Sequence, residues 1–244
     1  MHLIKFWRFS RLLSKEIVIT FRAPTRQLLY FDQAFHSQKN VRMLERVDSL
    51  MRDGVIYKDT ASTTVSQINF EGKPLIVKRY NTHSITEGLK QIFKVSRAYN
   101  SWFYAHWMME NNILTPSPLV AIEQKIGWFR KRSYYIYQAL ELSLLMDVLL
   151  AEDIDSPKSQ NLQERIVDLF RALYTARVHH RDFKISNFLV NQNEIYLIDL
   201  DHMSYDLTTI GLKISLRRDK KRFLKNFKDH PKLLARFEKL LDFV

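Results

Sequence analysis

The chain has 244 residues, 46% hydrophobic and 26% charged, enough apolar material for a packed core in one medium domain or two small lobes. A formal charge of +12 points to a polyanionic partner: nucleic acid, an acidic membrane surface or a phosphorylated substrate. The absence of cysteine excludes disulfides and cysteine-ligated zinc, and is compatible with a reducing cytoplasm.

Residues 1–15 put Lys5, Arg8, Arg11 and Lys15 on one arc of a helical wheel, with Leu3, Phe6, Trp7, Phe9 and Leu13 mostly opposite. This predicts a short basic amphipathic helix, either docked on the core or lying on a membrane. Its interspersed cations leave no uninterrupted signal-peptide core. The most apolar segment, Leu140 to Ala151, contains Glu141 and Asp147 and is too short to cross a bilayer. The stretch up to about Met51 has no clear period, and residues 1–50 read as an N-terminal extension.

Residues 51–140 read as a β-rich lobe. Gly54–Lys58 and Val65–Phe70 are predicted strands around a polar loop from Asp59 to Thr64, and Glu71-Gly72 is a turn before a third strand, Pro74–Tyr80. Ile85–Asn111 reads as a helix rich in aromatics (Phe93, Tyr99, Trp102, Phe103, Tyr104, Trp107) that serve packing, stopped by Asn111-Asn112 and Pro116-Ser117-Pro118. A strand from Tyr134 to Gln138 then leads into Ala139-Leu140-Glu141, read as a hinge near Glu141 whose backbone contacts adenine.

Residues 141–244 read as a second lobe. Leu162, Ile166, Leu169, Phe170 and Leu173 have helical spacing. His180-Arg181-Asp182-Phe183-Lys184-Ile185-Ser186-Asn187 follows, the pattern H-R-D-x-x-x-x-N. Phe188–Val190 and Ile195–Ile198 flank Asn191–Glu194 as a hairpin that delivers Asp199. Helix, loop, hairpin, aspartate is the order of a phosphotransferase C-lobe. In that chemistry Asp182 accepts or orients the proton of the acceptor hydroxyl, and Asn187 and Asp199 hold Mg2+ against the phosphates of ATP. The plainer alternative is a His-Arg-Asp turn capping a helix, with Asp199 merely ending a buried strand.

Lys78, on the third strand and roughly 100 residues before the motif, suits a lysine that bridges the α- and β-phosphates. The loop before the second strand, Ala61-Ser62-Thr63-Thr64, lacks glycine. Ser62 and Thr63 there either cover phosphates with hydroxyl and backbone N–H groups or form an ordinary hairpin turn. After Asp199 the chain has no Ala-Pro-Glu with which to dock a peptide, so the acceptor reads as a small molecule or a glycolipid sugar. Lys213, Arg217, Arg218, Lys220, Lys221, Arg222, Lys225, Lys228 and Lys232 suit an anionic substrate or membrane surface.

PLIVKRY (Pro74–Tyr80), SRAY (Ser96–Tyr99), LTPSP (Leu114–Pro118), HRDFKISNFLV (His180–Val190), YLIDLD (Tyr196–Asp201) and RDKKRFLKNF (Arg218–Phe227) together resemble the bacterial lipopolysaccharide core kinases, the Kdo and heptose kinases and InaA-type proteins. The resemblance covers about residues 54–230. It implies an α+β, bilobal protein-kinase-like fold with a small antiparallel-sheet N-lobe and a reduced, mainly helical C-lobe. It also implies ATP and Mg2+ as cofactors, Lys78 as the phosphate lysine, Asp182 as the catalytic aspartate and Asn187 and Asp199 as metal ligands. Lys184 is implied to approach the γ-phosphate, and Asp201 to assist the metal or the loop. The implied activity is phosphorylation of an inner-core sugar hydroxyl, by a protein that is cytoplasmic or peripheral on the inner membrane. ATP, the core glycolipid and an anionic membrane surface are the implied partners.

One position departs from the family. Ser101 stands where the resemblance places a helix glutamate that orients the lysine, with Glu87 or Glu110 as substitutes. Another small-molecule phosphotransferase and a non-catalytic pseudokinase or anion-binding scaffold are the competing readings. Nucleic acid is not an expected partner, because no zinc-finger spacing or aromatic RNA-binding signature occurs.

Overall fold

The structure, a computed structural model, describes residues 17–22, 25–31, 35, 37–81, 95–126 and 129–244. The described residues divide into two compact units, one drawn from Met1–His106 and Ser117–Ala139, the other from Trp107–Pro116 and Leu140–Val244. The expected helix over residues 1–15 lies outside the described residues, as do Glu87, Phe93 and the expected helical start at Ile85.

The first unit is built on a seven-stranded antiparallel sheet. Its strands are β1 (Ile17–Arg22), β2 (Thr25–Phe31), β3 (Val55–Asp59), β4 (Thr63–Phe70), β5 (Lys73–Asn81), β6 (Pro118–Ile126) and β7 (Phe129–Gln138), in the order β1-β2-β6-β7-β5-β4-β3. Alternation fixes which face is apolar. Ile68, Leu75, Val77, Val120, Ile122, Tyr134 and Ile136 are buried on one face. They pack against Met43 and Leu44 of helix α1 (Gln38–Glu45) and Val47 and Met51 of helix α2 (Val47–Asp53). Glu71 and Gly72, at φ 55° and 76°, make the primed turn that closes the two-residue β4–β5 hairpin.

Three expectations need correction. Residues 1–50 are not a separate extension, because β1 and β2 belong to the sheet and Leu29, Met43 and Leu44 belong to its core. The loop expected from Asp59 to Thr64 is only three residues long. Thr63 and Thr64 are buried strand residues paired with Tyr80 and Arg79. Finally, β6 begins at Pro118, which the sequence suggested only as a helix stop; proline is tolerated as the first residue of a strand.

Helix α3 (Arg97–Glu110) starts at a cap made by Ser96, whose Oγ accepts the Tyr99 N–H at 3.0 Å.

The second unit is mainly helical. Helix α4 (Leu145–Ala151) is followed by α5 (Pro157–Thr175), α6 (Thr209–Lys225) and α7 (Pro231–Leu240). Ser156 caps α5 by accepting the Ser159 N–H, and Pro157 opens it. Thr208 caps α6 by accepting the Gly211 N–H. Leu162, Ile166, Leu169, Phe170 and Leu173 are all buried, as their period predicts.

Short strands carry the loops of this unit: β8 (Ser143–Leu144), β9 (Val178–His179), β10 (Phe188–Asn191), β11 (Glu194–Leu197) and β12 (Ser204–Tyr205). The β10–β11 hairpin matches the expected one, with Phe188 opposite Leu197. Phe170, Phe183, Phe188, Phe223, Phe227 and Phe237 form one aromatic cluster with neighbouring centroids 4.7–6.2 Å apart. Such edge-on and tilted contacts add to what these rings gain from the area they bury.

Candidate active site

The segment His180–Asn187 is a loop between β9 and β10, and three devices hold its shape. Phe183 drops its ring into the aromatic cluster, 4.8 Å from Phe170 and 4.7 Å from Phe188. Asp219, buried on α6, accepts the backbone N–H of His180 at 2.7 Å and of Arg181 at 3.1 and 3.2 Å. These are charge-assisted bonds to a carboxylate that water does not reach. They hold Arg181 at φ 70°, a left-handed conformation that costs an L-residue about 1–2 kcal/mol.

The third device is the His180 ring. Nε2 lies 3.0 Å from the Ile198 carbonyl oxygen, and Nδ1 faces the Asp182 N–H at 3.3 Å. A carbonyl only accepts and an amide N–H only donates, so these partners select the neutral ring with its proton on Nε2. Burial pushes the His180 pKa down. The Ile198 carbonyl and the carboxylates of Asp219, Asp199 and Asp182 pull it up and do not win. The neighbouring His179 is also lowered by burial, against the pull of Asp206, whose carboxylate is 2.7 Å from Nδ1.

The loop brings Asp182, Lys184 and Asn187 together, and a backbone hydrogen bond joins it to the residue before Asp199. Lys184 Nζ is 2.9 Å from both carboxylate oxygens of Asp182. Asn187 donates Nδ2 to the Asp182 carbonyl oxygen at 2.9 Å, which leaves its Oδ1 directed away from that bond. The Asn187 carbonyl accepts the Ile198 N–H at 3.0 Å, and Asp199 is the next residue. Asp199 itself is left-handed, at φ 64° and ψ 49°, ahead of the 3-10 turn Leu200–His202 that buries Asp201. Two short hydrogen bonds, one from the Asn187 side chain and one between backbones, therefore tie the segments of Asp182, Asn187 and Asp199 together.

The donor set suits magnesium. An amide oxygen and a carboxylate are hard ligands, and magnesium keeps water and phosphate oxygens for its remaining positions. Among the described residues no group of three or more His, Cys, Asp or Glu side chains is arranged to cage a metal.

Lys78, Ser62 and Thr63 belong to the first unit. Lys78 lies on β5 opposite Val65 and Tyr135, with Nζ 5.3 Å from the Tyr80 ring centroid. The Arg97 guanidinium lies 4.5 Å from the centroid of the same ring, and its Nη1 is 3.4 Å from the Thr63 hydroxyl. Ser101 is buried, its hydroxyl 3.1 Å from that of Tyr80. The position where the resemblance asks for a glutamate thus holds a neutral hydrogen bond to the lysine strand. Glu110 is exposed at the end of α3. Ser62 is exposed in the shortened loop, where its carbonyl accepts the Asn81 N–H at 3.0 Å. Glu141 is exposed in the irregular segment before β8.

Sequence reasoning did not anticipate Asp219 or the bracing role of the His180 ring. One signal for Asp219 was available. It is the single acid among seven cations on α6, and helical spacing puts it in register with the buried Leu212, Leu216 and Phe223.

A model of the lipopolysaccharide kinase (Kdo/WaaP) family matches residues 41–228, well over half of the chain. A 3-deoxy-D-manno-octulosonic acid kinase from Vibrio cholerae serotype O1 is 25% identical over 131 residues, which are 53% of this chain and 54% of that protein. The match thus spans about half the length of this curated relative. A solved structure described as WaaP in complex with acyl carrier protein superposes with a TM-score of 0.54 at 19% identity, over 88% of this chain and 98% of that one. That likeness concerns the fold, which is protein-kinase-like, as expected. From the matched span, the chain belongs to the lipopolysaccharide kinase (Kdo/WaaP) family.

Proposed function

We propose that the chain is an ATP-dependent kinase that phosphorylates a sugar hydroxyl of the lipopolysaccharide inner core, Kdo or heptose, at the cytoplasmic face of the inner membrane. One observation carries the reading: Asp182, Lys184 and Asn187 share a loop fastened to buried Asp219 and linked through Ile198 to Asp199. Family membership supports the same chemistry, and the Kdo kinase relative makes Kdo the first acceptor to try.

In this mechanism Asp182 takes the proton of the sugar hydroxyl as its oxygen attacks the γ-phosphorus. The new P–O bond forms while the bond from the γ-phosphorus to the β–γ bridging oxygen breaks, and ADP departs. Lys184, resting on Asp182, turns its ammonium to the γ-phosphoryl oxygens, where negative charge is concentrated. Asn187 Oδ1 and the Asp199 carboxylate would hold magnesium, which would supply positive charge against the phosphate oxygens. In this reading Lys78 is assigned to the α- and β-phosphates, Ser62 and Thr63 to further phosphate contacts, and the backbone near Glu141 to adenine. The formal charge of +12 favours an anionic acceptor held at an anionic membrane.

The test is transfer of label from γ-labelled ATP, with magnesium, to core glycolipid lacking the phosphate, Kdo and heptose acceptors being assayed side by side. Transfer by wild type that drops by about 10²–10⁴-fold in Asp182→Ala is expected, the range for loss of a general base. Transfer by Asp182→Ala equal to wild type, or label reaching neither acceptor, would refute the proposal.

A further inference from the structure

The outward face of α6 combines two features that rarely occur together. Ile210 is 75% exposed and Ile214 45%, and Leu207, just before the helix, is 54% exposed. Large aliphatic side chains seldom stand this open beside one another on a surface with no partner. The same helix carries Lys213, Arg217, Arg218, Lys220, Lys221, Arg222 and Lys225. Its one acid, Asp219, is buried against the His180–Arg181 backbone, so the exposed face contains no negative charge.

Helical spacing puts Ile210, Ile214, Arg217, Lys221 and Lys225 in one solvent-facing stripe, opposite the buried Leu212, Leu216 and Phe223. The stripe is apolar at its N-terminal end and cationic for the rest of about 22 Å. Alongside it a groove of about 540 Å³ is lined by Tyr174, Phe243, Lys213 and Arg217 among others, with both aromatic side chains exposed. Apolar tips among cations on a convex helix face match the two layers of an anionic bilayer surface, acyl boundary and phosphate headgroups.

We propose that this face of α6, centred on Leu207, Ile210 and Ile214 and flanked by Arg217 and Lys221, docks the protein on an anionic lipid surface. The proposal deepens the membrane part of the reading above and rests on it for its biological sense, but its test needs neither ATP nor a sugar acceptor.

The experiment is flotation of the full chain with vesicles of phosphatidylglycerol and phosphatidylcholine, or of phosphatidylcholine alone. Wild type should partition to the anionic vesicles and lose most of that binding at high salt. Arg217→Gln with Lys221→Gln should weaken it about 25-fold, about fivefold for each cation lost. Ile210→Ser with Ile214→Ser should weaken it about tenfold. Magnesium-dependent ATP binding should be unchanged in both variants, which shows that they are folded and separates this surface from the kinase site. Failure of wild type to float, equal flotation with neutral vesicles, or variants that float as wild type does would overturn the proposal. In the last case the N-terminal segment or another surface carries the membrane. Variants that lose capture of an acidic protein while keeping vesicle binding would assign the face to a protein partner instead.

Discussion

Replacing Asp219 tests the architecture of the site without touching a group that meets substrate. Its carboxylate accepts from two backbone N–H groups, those of His180 and Arg181, and its side chain is fully enclosed. A hydrogen bond to a charged group contributes about 1.5–3 kcal/mol, and a buried donor left without an acceptor costs about 1–3 kcal/mol. Asp219→Ala strands two such donors and removes the support for Arg181 at φ 70°. The expected loss is therefore about 3–5 kcal/mol of unfolding free energy, a large share of a typical domain's stability. Asp219→Asn keeps the shape and one acceptor oxygen, and should lose about 2 kcal/mol.

The assay is urea unfolding followed by tryptophan fluorescence, beside single-turnover label transfer. Because Arg181 adjoins Asp182, a small shift of the loop should lower kcat about 10²-fold in Asp219→Asn while ATP binding survives. Wild-type stability together with wild-type kcat in Asp219→Asn would refute the reasoning. It would mean that the loop holds its shape without the carboxylate.

Three further predictions follow from the same geometry. Asp199→Ala should abolish the dependence of ATP affinity on magnesium, measured by titration calorimetry with and without the ion. Phe223→Ala, at the centre of the aromatic cluster, should cost about 3–5 kcal/mol in urea unfolding, with any smaller loss showing that neighbouring rings close the cavity. The third prediction concerns pH. Burial lowers the His180 pKa below the unfolded value of about 6.5, so the unfolded chain takes up the proton first. Stability is full above about pH 6.5 and falls as pH drops from there toward the folded value, by at most about 1.4 kcal/mol per pH unit for this group. Urea midpoints at pH 7.5 and 5.5 should show the fall. His180→Gln should reduce it without abolishing it, since His179 is lowered by burial too.

The residues of the candidate site were legible where the chemistry is compressed in sequence. Asp182, Lys184 and Asn187 lie within six positions, so the pattern itself specified which side chains one loop could gather. The hairpin of Phe188–Asn191 and Glu194–Leu197 and the period of Leu162, Ile166, Leu169, Phe170 and Leu173 were equally plain. Local backbone geometry dictates such alternations directly. The N-terminal strands were not legible, because β2 joins the sheet through β6, about a hundred positions later, β1 pairs only with β2, and short strands carry little period of their own. Thr63 read as a loop residue because its polarity suggested exposure, whereas pairing with Tyr80 buries it.

Composition and local spacing by themselves determined the chemical inventory of this protein: an acid, a lysine, an amide and a second acid in the order that phosphoryl transfer uses, on a chain with a large excess of positive charge. Only the tertiary structure decided what makes that inventory rigid. Asp219 reaches back 38 and 39 residues to grip the Arg181 and His180 amides, and the His180 ring spans 18 residues to the Ile198 carbonyl. Contacts of that separation arise from how helices and hairpins stack, and side-chain burial then sets which protonation state and which backbone conformation survive.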